Sequence, residues 1–152
     1  MDTKDFIELQ SLRLFPAKDC TAVFLTFGAK TLLIQTEAAF AEIASRAMRR
    51  KPFPRPQTFE LLDAVCRGFD IVPEAGFVTE CRDGVYFARI VYSMCNELGR
   101  KTLEADARPS DMLLQSFLAR MPIFVARSVL DAAEDATPLM NRALRRQEKK
   151  NG

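Results

Sequence analysis

The strongest constraint on the fold is a β-hairpin predicted within residues 76–94, GFVTECRDGVYFARIVYSM. Asp83-Gly84 lies between two runs in which apolar and polar residues alternate. Asp-Gly accommodates the positive φ angles of a tight turn, and the alternation gives each strand one face for a core. Strands joined this closely argue against a doubly wound α/β sheet, in which helices separate parallel strands.

The rest of the chain predicts a single α+β domain. Further strands are expected at 5–14 (with a bend near Ser11), 21–27, 30–35, 101–106 and 122–126, and helices at 37–50, 58–69, 109–121 and 128–134. The helix at 58–69 places Leu61, Leu62, Val65 and Phe69 on one face, which is typical of a helix that packs on a core. We therefore predict one compact domain over residues 1–136, with a mixed, largely antiparallel sheet and three to four helices. A polar, basic tail is expected over residues 137–152.

Composition and charge exclude several classes of protein. The chain of 152 residues has a net charge of +2, no segment resembling a signal peptide, and no apolar run near the roughly 18 residues that span a membrane. We expect a cytoplasmic protein without a membrane partner. Two basic stretches, 45–56 and 142–150, suit either phosphate contacts or solvated surfaces.

The complete absence of histidine limits the possible chemistry. It disfavours Ser-His-Asp triads and most zinc hydrolases. Catalysis would have to rest on carboxylates, lysine, cysteine, hydroxyls or a metal bound through oxygen, for which Mg²⁺ or Mn²⁺ are the natural candidates.

The segment EADARPSDM concentrates polar residues at a predicted strand-to-helix junction. Pro109 suits the first turn of a helix, and Asp111 suits its positive end. Asp106 and Arg108 alternate on one side of the strand and point toward that helix start. They predict either a buried Asp-Arg pair that fixes the corner, or a site for a phosphate or a metal ion.

Three motifs occur in order along the chain: RPQT at 55–58, RDGVYFARI at 82–90 and DARPSD at 106–111. Together they resemble the bifunctional nuclease domain family, once catalogued as a domain of unknown function. The similarity extends from about residue 5 through IQTEAA at 34–39 to PIFVARSVLDAAE at 122–134. The resemblance implies a compact α+β domain, usually a homo-oligomer, with nuclease activity on DNA and RNA.

The family's polar motif residues correspond here to Glu37, Arg55, Thr58, Asp106, Arg108, Ser110 and Asp111. On this basis we expect Asp106, Asp111 and Glu37 to be catalytic, with Asp106 and Asp111 as ligands of Mg²⁺ or Mn²⁺. We expect Arg55, Arg108, Thr58 and Ser110 to bind the nucleic acid substrate, because guanidinium groups and hydroxyls contact phosphates.

One departure from the family pattern affects the expected activity. Family members typically read Arg-Pro-any-Thr-His, whereas Phe59 follows Thr58 in this chain. The resemblance therefore leaves two functions open. The first is a metal-dependent nuclease in which Phe59 would impair any step that needs the family's imidazole. The alternative is a non-catalytic interaction or regulatory protein that retains the nuclease-like fold.

Overall fold

A computed structural model describes residues 5–152, which form eight strands and five helices. The strands are β1 (Phe6–Glu8), β2 (Ser11–Pro16), β3 (Thr21–Phe27), β4 (Lys30–Thr36), β5 (Ile71–Arg82), β6 (Val85–Asn96), β7 (Gly99–Ala107) and β8 (Ile123–Ala126). The helices are α1 (Phe40–Arg49), α2 (Thr58–Gly68), α3 (Pro109–Ala119), α4 (Arg127–Ala132) and α5 (Thr137–Asn151). The predicted α+β class is confirmed.

The strands form two sheets. The larger has the order β1-β8-β5-β6-β7, and the smaller has the order β2-β3-β4. All pairings are antiparallel except that of β5 with β8. The predicted hairpin joins β5 to β6, and both turn residues have positive φ, 51° at Asp83 and 79° at Gly84. Local turn chemistry therefore fixes the centre of the larger sheet.

The bend predicted near Ser11 marks a change of sheet. β1 pairs with β8 in the larger sheet, and β2 pairs with β3 in the smaller one. Between them, the Leu9 amide donates to the Ile123 carbonyl (2.8 Å) and the Gln10 amide to the Thr26 carbonyl (2.9 Å). The predicted bend thus lies where the chain passes from one sheet to the other.

Helix α3 packs closely on one face of the larger sheet. A Cβ atom added at Gly76 of β5 would lie 2.6 Å from Cγ of Met112 and 2.7 Å from its Sδ. Met112 and Leu113 are fully buried and belong to one hydrophobic cluster with residues of both sheets. This packing fixes the start of α3 relative to β7 and β4, and the candidate site lies there.

The prediction for the apolar face of α2 is wrong. Its four residues, Leu61, Leu62, Val65 and Phe69, are all exposed. Phe59 and Cys66, seven positions apart and therefore on one side of the helix, are buried instead. Contacts with β5 and α3 determine which side of α2 faces the core.

The predicted polar tail folds into α5, which is the helix additional to the predicted three to four. No residue of α5 is buried. In the part of the chain that the structure describes, no helix is long and apolar enough to cross a membrane.

Candidate functional site

The site centres on the junction between β7 and α3. Arg108 occupies the N-cap position of α3 in an extended conformation, and Pro109 begins the helix. Pro109 fits because the first helical residue needs no amide donor and its fixed φ suits the helix. Asp111 lies in the first turn, near the positive end of the helix. The predicted helix start is therefore confirmed.

Arg108 and Asp111 form a two-point ion pair. Nε of Arg108 donates to Oδ2 of Asp111 (2.7 Å), and Nη2 donates to Oδ1 (3.1 Å). This hydrogen bonding raises the pKa of the Arg108 guanidinium further above its ordinary value. Arg108 is therefore charged at neutral pH.

A second carboxylate approaches Arg108 from a distant part of the chain. Glu37 follows β4, in a turn closed by the hydrogen bond from the Phe40 amide to the Glu37 carbonyl (3.1 Å). Its Oε1 lies 3.9 Å from Nη1 of Arg108. One guanidinium thus lies between two of the predicted catalytic carboxylates.

Asp106 does not join this cluster through Arg108. It is directly opposite Arg89 in the β6–β7 register, and Nε of Arg89 lies 3.1 Å from its Oδ1. The Asp106 side chain is 87% exposed. Of the two alternatives predicted for Asp106 and Arg108, the buried pair is therefore wrong, because the neighbouring strand provides Asp106 with a closer partner.

These residues line a cleft of about 1070 Å³ between the end of β4 and the start of α3. Ser110 lines it together with Glu37, Asp106, Arg108 and Asp111. The remaining walls are mainly apolar and come from β4, α1, the β5–β6 turn and α3. A mostly apolar cleft with a few convergent polar groups is typical of a small-molecule or nucleotide site.

The bifunctional nuclease domain model matches residues 26–137 of the chain. The chain belongs to this family. The matched segment contains all seven predicted site residues, four of the five strands of the larger sheet and, of the smaller sheet, β4 with the end of β3. A search of curated proteins finds no match.

Electrostatics distinguish this cleft from a simple anion pocket. Three carboxylates and one guanidinium line it, which gives the lining a net formal charge of −2, and Arg89, outside the lining, pairs with Asp106. Oxygen donors of this kind suit Mg²⁺, which proteins often bind through one or two carboxylates plus substrate phosphates. Within residues 5–152, however, no three Asp, Glu or Cys side chains converge on one point.

Thr58 lies on the other side of the Arg108–Asp111 pair. It lines a separate groove of about 810 Å³, formed by α2, β6 and β7, which Arg108 and Asp111 also border. Arg55 borders neither the cleft nor the groove, and in the described part of the chain it has no ion-pair partner. Of the seven predicted residues of this family member, five therefore line one cleft, one lines the groove behind it, and one lies elsewhere.

Phe59, at the position where the resemblance implies a histidine, belongs to the core. It is 8% exposed, and its ring contacts that of Phe53 edge-to-face, with 6.5 Å between centroids. Its carbonyl accepts a hydrogen bond from the buried Gln115 side chain. The aromatic ring therefore stabilises the start of α2 from inside.

Tyr86 is a polar residue of the cleft that motif reasoning missed. It lies on β6 just after the turn, and its burial, together with the neighbouring Cys81 thiol, raises the pKa of its phenol. The hydroxyl is consequently a hydrogen-bond donor at neutral pH. Strand alternation after Asp83-Gly84 places Tyr86 on the face of Ala88 and Ile90, which is the signal that identifies it in the sequence.

Proposed function

We propose that this protein is a metal-dependent nuclease that hydrolyses phosphodiester bonds of DNA or RNA in the cleft. The supporting observation is the convergence of Glu37 and Asp111 on one guanidinium, that of Arg108, at the wall of the cleft. Membership of the bifunctional nuclease domain family supports the same reaction class. An acidic site with a single cation fits a substrate phosphate that arrives together with a divalent ion.

Glu37 and Asp111 are the residues that would hold Mg²⁺ or Mn²⁺. Both carboxylates lie beside Arg108 at the wall of the cleft, and their hard oxygen donors suit either ion once the guanidinium turns from Asp111 to the substrate phosphate. The ion, when bound, neutralises charge on the phosphate and lowers the pKa of a water molecule. The earlier prediction that Asp106 is a ligand stays a prediction, which Asp106→Asn tests by its effect on metal affinity.

Arg108 binds the phosphate in this proposal. Its planar group can contact two phosphate oxygens at once, as it now contacts the two carboxylate oxygens of Asp111. The Ser110 hydroxyl and the Tyr86 phenol supply further donors in the same cleft. Thr58 and Arg55 stay predicted substrate contacts, reached by nucleic acid that extends beyond the cleft.

A cleavage assay tests the proposal. Labelled single-stranded DNA, duplex DNA and RNA are incubated with the protein plus Mg²⁺, Mn²⁺ or a chelator, and a Glu37→Gln variant is the matched control. We expect metal-dependent cleavage by the natural chain and a loss of about 100-fold or more in the variant. Absence of cleavage of all three substrates would favour the non-catalytic interaction protein.

We also propose that the protein is a homo-oligomer assembled through β7. This strand is an edge of the larger sheet, and Leu103 at its middle is 60% exposed beside the apolar groove. Its first half is basic (Arg100, Lys101) and its second half is acidic (Glu104, Asp106). Antiparallel pairing of β7 from two copies therefore places basic residues of one copy opposite acidic residues of the other. Sedimentation velocity tests this, since Leu103→Asp should shift the protein to monomers.

A further inference from the structure

Charge is distributed unevenly between α5 and the rest of the protein. The helix contains five of the 22 basic residues and one of the 20 acidic residues, which leaves 17 basic against 19 acidic residues elsewhere. The domain thus has a formal charge of −2, and the helix has a charge of +4. The small net charge of the whole chain is therefore the sum of a basic helix and a slightly acidic domain.

The five basic residues of α5 lie on one face. They are Arg142, Arg145, Arg146, Lys149 and Lys150, spaced at i, i+3, i+4, i+7 and i+8. This spacing follows the helical repeat over more than two turns. All five side chains are exposed. The basic face is therefore a continuous stripe along the helix.

The start of α5 is fixed to the body. The carboxylate of Asp135 accepts hydrogen bonds from the amides of Thr31 (3.1 Å) and Thr137 (3.0 Å), and the Ala136 amide donates to the Thr31 carbonyl (2.8 Å). Met140 and Leu144, on the side of the helix opposite the basic stripe, are half-buried. The stripe consequently faces solvent while the opposite side meets the protein.

No intramolecular partner neutralises this stripe. Within residues 5–152, none of the five cations forms an ion pair. Three like-charged pairs at i,i+4 each destabilise an isolated helix by about 0.2–0.5 kcal/mol. A polyanion lying along the stripe would remove this repulsion, because each of its charges neutralises one or two of the cations.

We infer that α5 is an arm that binds the sugar-phosphate backbone of a nucleic acid. The choice of nucleic acid as the polyanion rests on the proposed function. The arm begins beside Thr31, at one end of β4, and Glu37 of the cleft follows the other end. Thr31 and Glu37 are six residues apart, so at about 3.3 Å per residue roughly 20 Å separates them. This length corresponds to about six phosphates along one strand of a duplex.

An anionic membrane is the less suitable partner for the same stripe. Helices that lie on membranes insert a broad apolar face beside their basic one. In α5 the apolar residues Met140 and Leu144 are half-buried against the body, and Leu139 is its one large apolar residue with an exposed side chain. The arm therefore presents charge without an apolar face to insert.

The salt dependence of binding tests the inference. A full-length variant with Arg142→Gln, Arg146→Gln and Lys149→Gln keeps good helix formers while removing three cations. Binding of a fluorescent single-stranded oligonucleotide is followed by anisotropy between about 50 and 200 mM salt. Each lost phosphate contact reduces the slope of log affinity against log salt by about 0.7, so three reduce it by about 2. The natural chain should therefore lose about 20-fold more affinity over this range than the variant.

A matched control removes the same charge elsewhere. The variant with Arg13→Gln, Lys18→Gln and Arg67→Gln changes three exposed cations outside α5 and the candidate site. We expect it to keep the salt slope of the natural chain. The inference would be overturned if the α5 variant and the natural chain had equal salt slopes, or if both variants changed the slope equally. Binding to anionic lipid vesicles is measured in parallel, and a loss of binding confined to these vesicles would also overturn it.

The outcomes separate this inference from the proposed nuclease activity. Binding that depends on α5 in a protein that cleaves nothing would support the arm and contradict the nuclease. Cleavage that is lost in Glu37→Gln, with an unaltered salt slope in the α5 variant, would support the nuclease and contradict the arm. Circular dichroism of both variants verifies that the helices are intact.

Discussion

Substitution of Arg108 by glutamine separates a catalytic group from a surface ion pair. In the structure the pair with Asp111 has good two-point geometry, but its side chains are 69% and 47% exposed. Exposed pairs of this kind stabilise proteins by about 0.2–1 kcal/mol because water screens them and the side chains lose freedom. Glu37, at 3.9 Å, adds only a weaker interaction. We therefore expect Arg108→Gln to lower the free energy of unfolding by no more than about 1 kcal/mol.

The expected effect on cleavage is much larger. A positive group that contacts the phosphate in the transition state typically contributes about 100- to 1000-fold to kcat, or about 2.7–4 kcal/mol. Without Arg108, the carboxylates lining the cleft would also repel the incoming phosphate. Urea denaturation gives the first quantity, and single-turnover cleavage of a labelled oligonucleotide gives the second. Arg108→Lys should lie between the two proteins, since it keeps the charge but loses two-point contact.

Arg82→Gln is the control for this experiment. Arg82 pairs with Glu80 through two hydrogen bonds of 2.6 and 2.8 Å, with side chains 66% and 46% exposed, and its side chain does not line the cleft. The control should retain the cleavage rate of the natural chain. Activity of Arg108→Gln within about threefold of the control would refute the role of Arg108. A loss of stability well above 1 kcal/mol would instead attribute its inactivity to misfolding.

Three further changes test other parts of the structure. Phe59→His should lower the free energy of unfolding by about 2 kcal/mol, because apolar burial is lost. The loss should be larger below pH ~6.5, because the imidazole of the unfolded chain then binds a proton that burial disfavours in the folded protein. Melting curves at pH 6 and 8 measure both effects, and equal losses at the two pH values would contradict the pH dependence. Gly76→Ala should cost on the order of 1–3 kcal/mol because its Cβ would overlap Met112, so an unchanged urea midpoint would disprove the close packing of α3. Hydrogen bonds from Thr137 and Thr31 lower the pKa of the Asp135 carboxyl from its ordinary value of 3.8. The ionised carboxylate therefore stabilises the start of α5 above pH 3.8, and this stabilisation is lost as the pH falls through the pKa that Asp135 has in the folded protein. Acid titration by circular dichroism should show this step in the natural chain, and its persistence in Asp135→Asn would assign it to another group.

Local features of the fold were predictable, and features set by packing were not. Asp83-Gly84 and Pro109 each determine a turn or a helix start through their own φ preferences, so the hairpin and the start of α3 follow from the sequence. The partner of Asp106 depends on the register of β7 against β6, which places Arg89 opposite it. The two-residue loop Glu97-Leu98 sets that register by placing Asn96 opposite Gly99. The strand predicted from the sequence begins at residue 101 and does not place this turn, so it could not exclude the alternative of a buried Asp106–Arg108 pair.

The same distinction explains α2 and the candidate site. Leu62 and Val65 fulfil a helical apolar pattern, but contacts with α3 and β5 turn Phe59 and Cys66 inward instead. The proximity of Glu37 to Arg108 is likewise a tertiary result, since their elements are distant in sequence and meet only after both sheets pack. The family's motif residues predicted membership of the site without predicting which contacts they make.

The position of β8 has a consequence for how the chain folds during synthesis. This short strand lies between β1, from the beginning of the chain, and β5, from its middle. Until residues 123–126 are available, β1 has no partner, and one edge of β5 offers unpaired amides and carbonyls to other nascent chains. Pairing over such separations is slow, and unpaired edges favour aggregation. The larger sheet can therefore be completed only after residues 123–126 have been synthesised, and this edge of β5 stays unpaired until then.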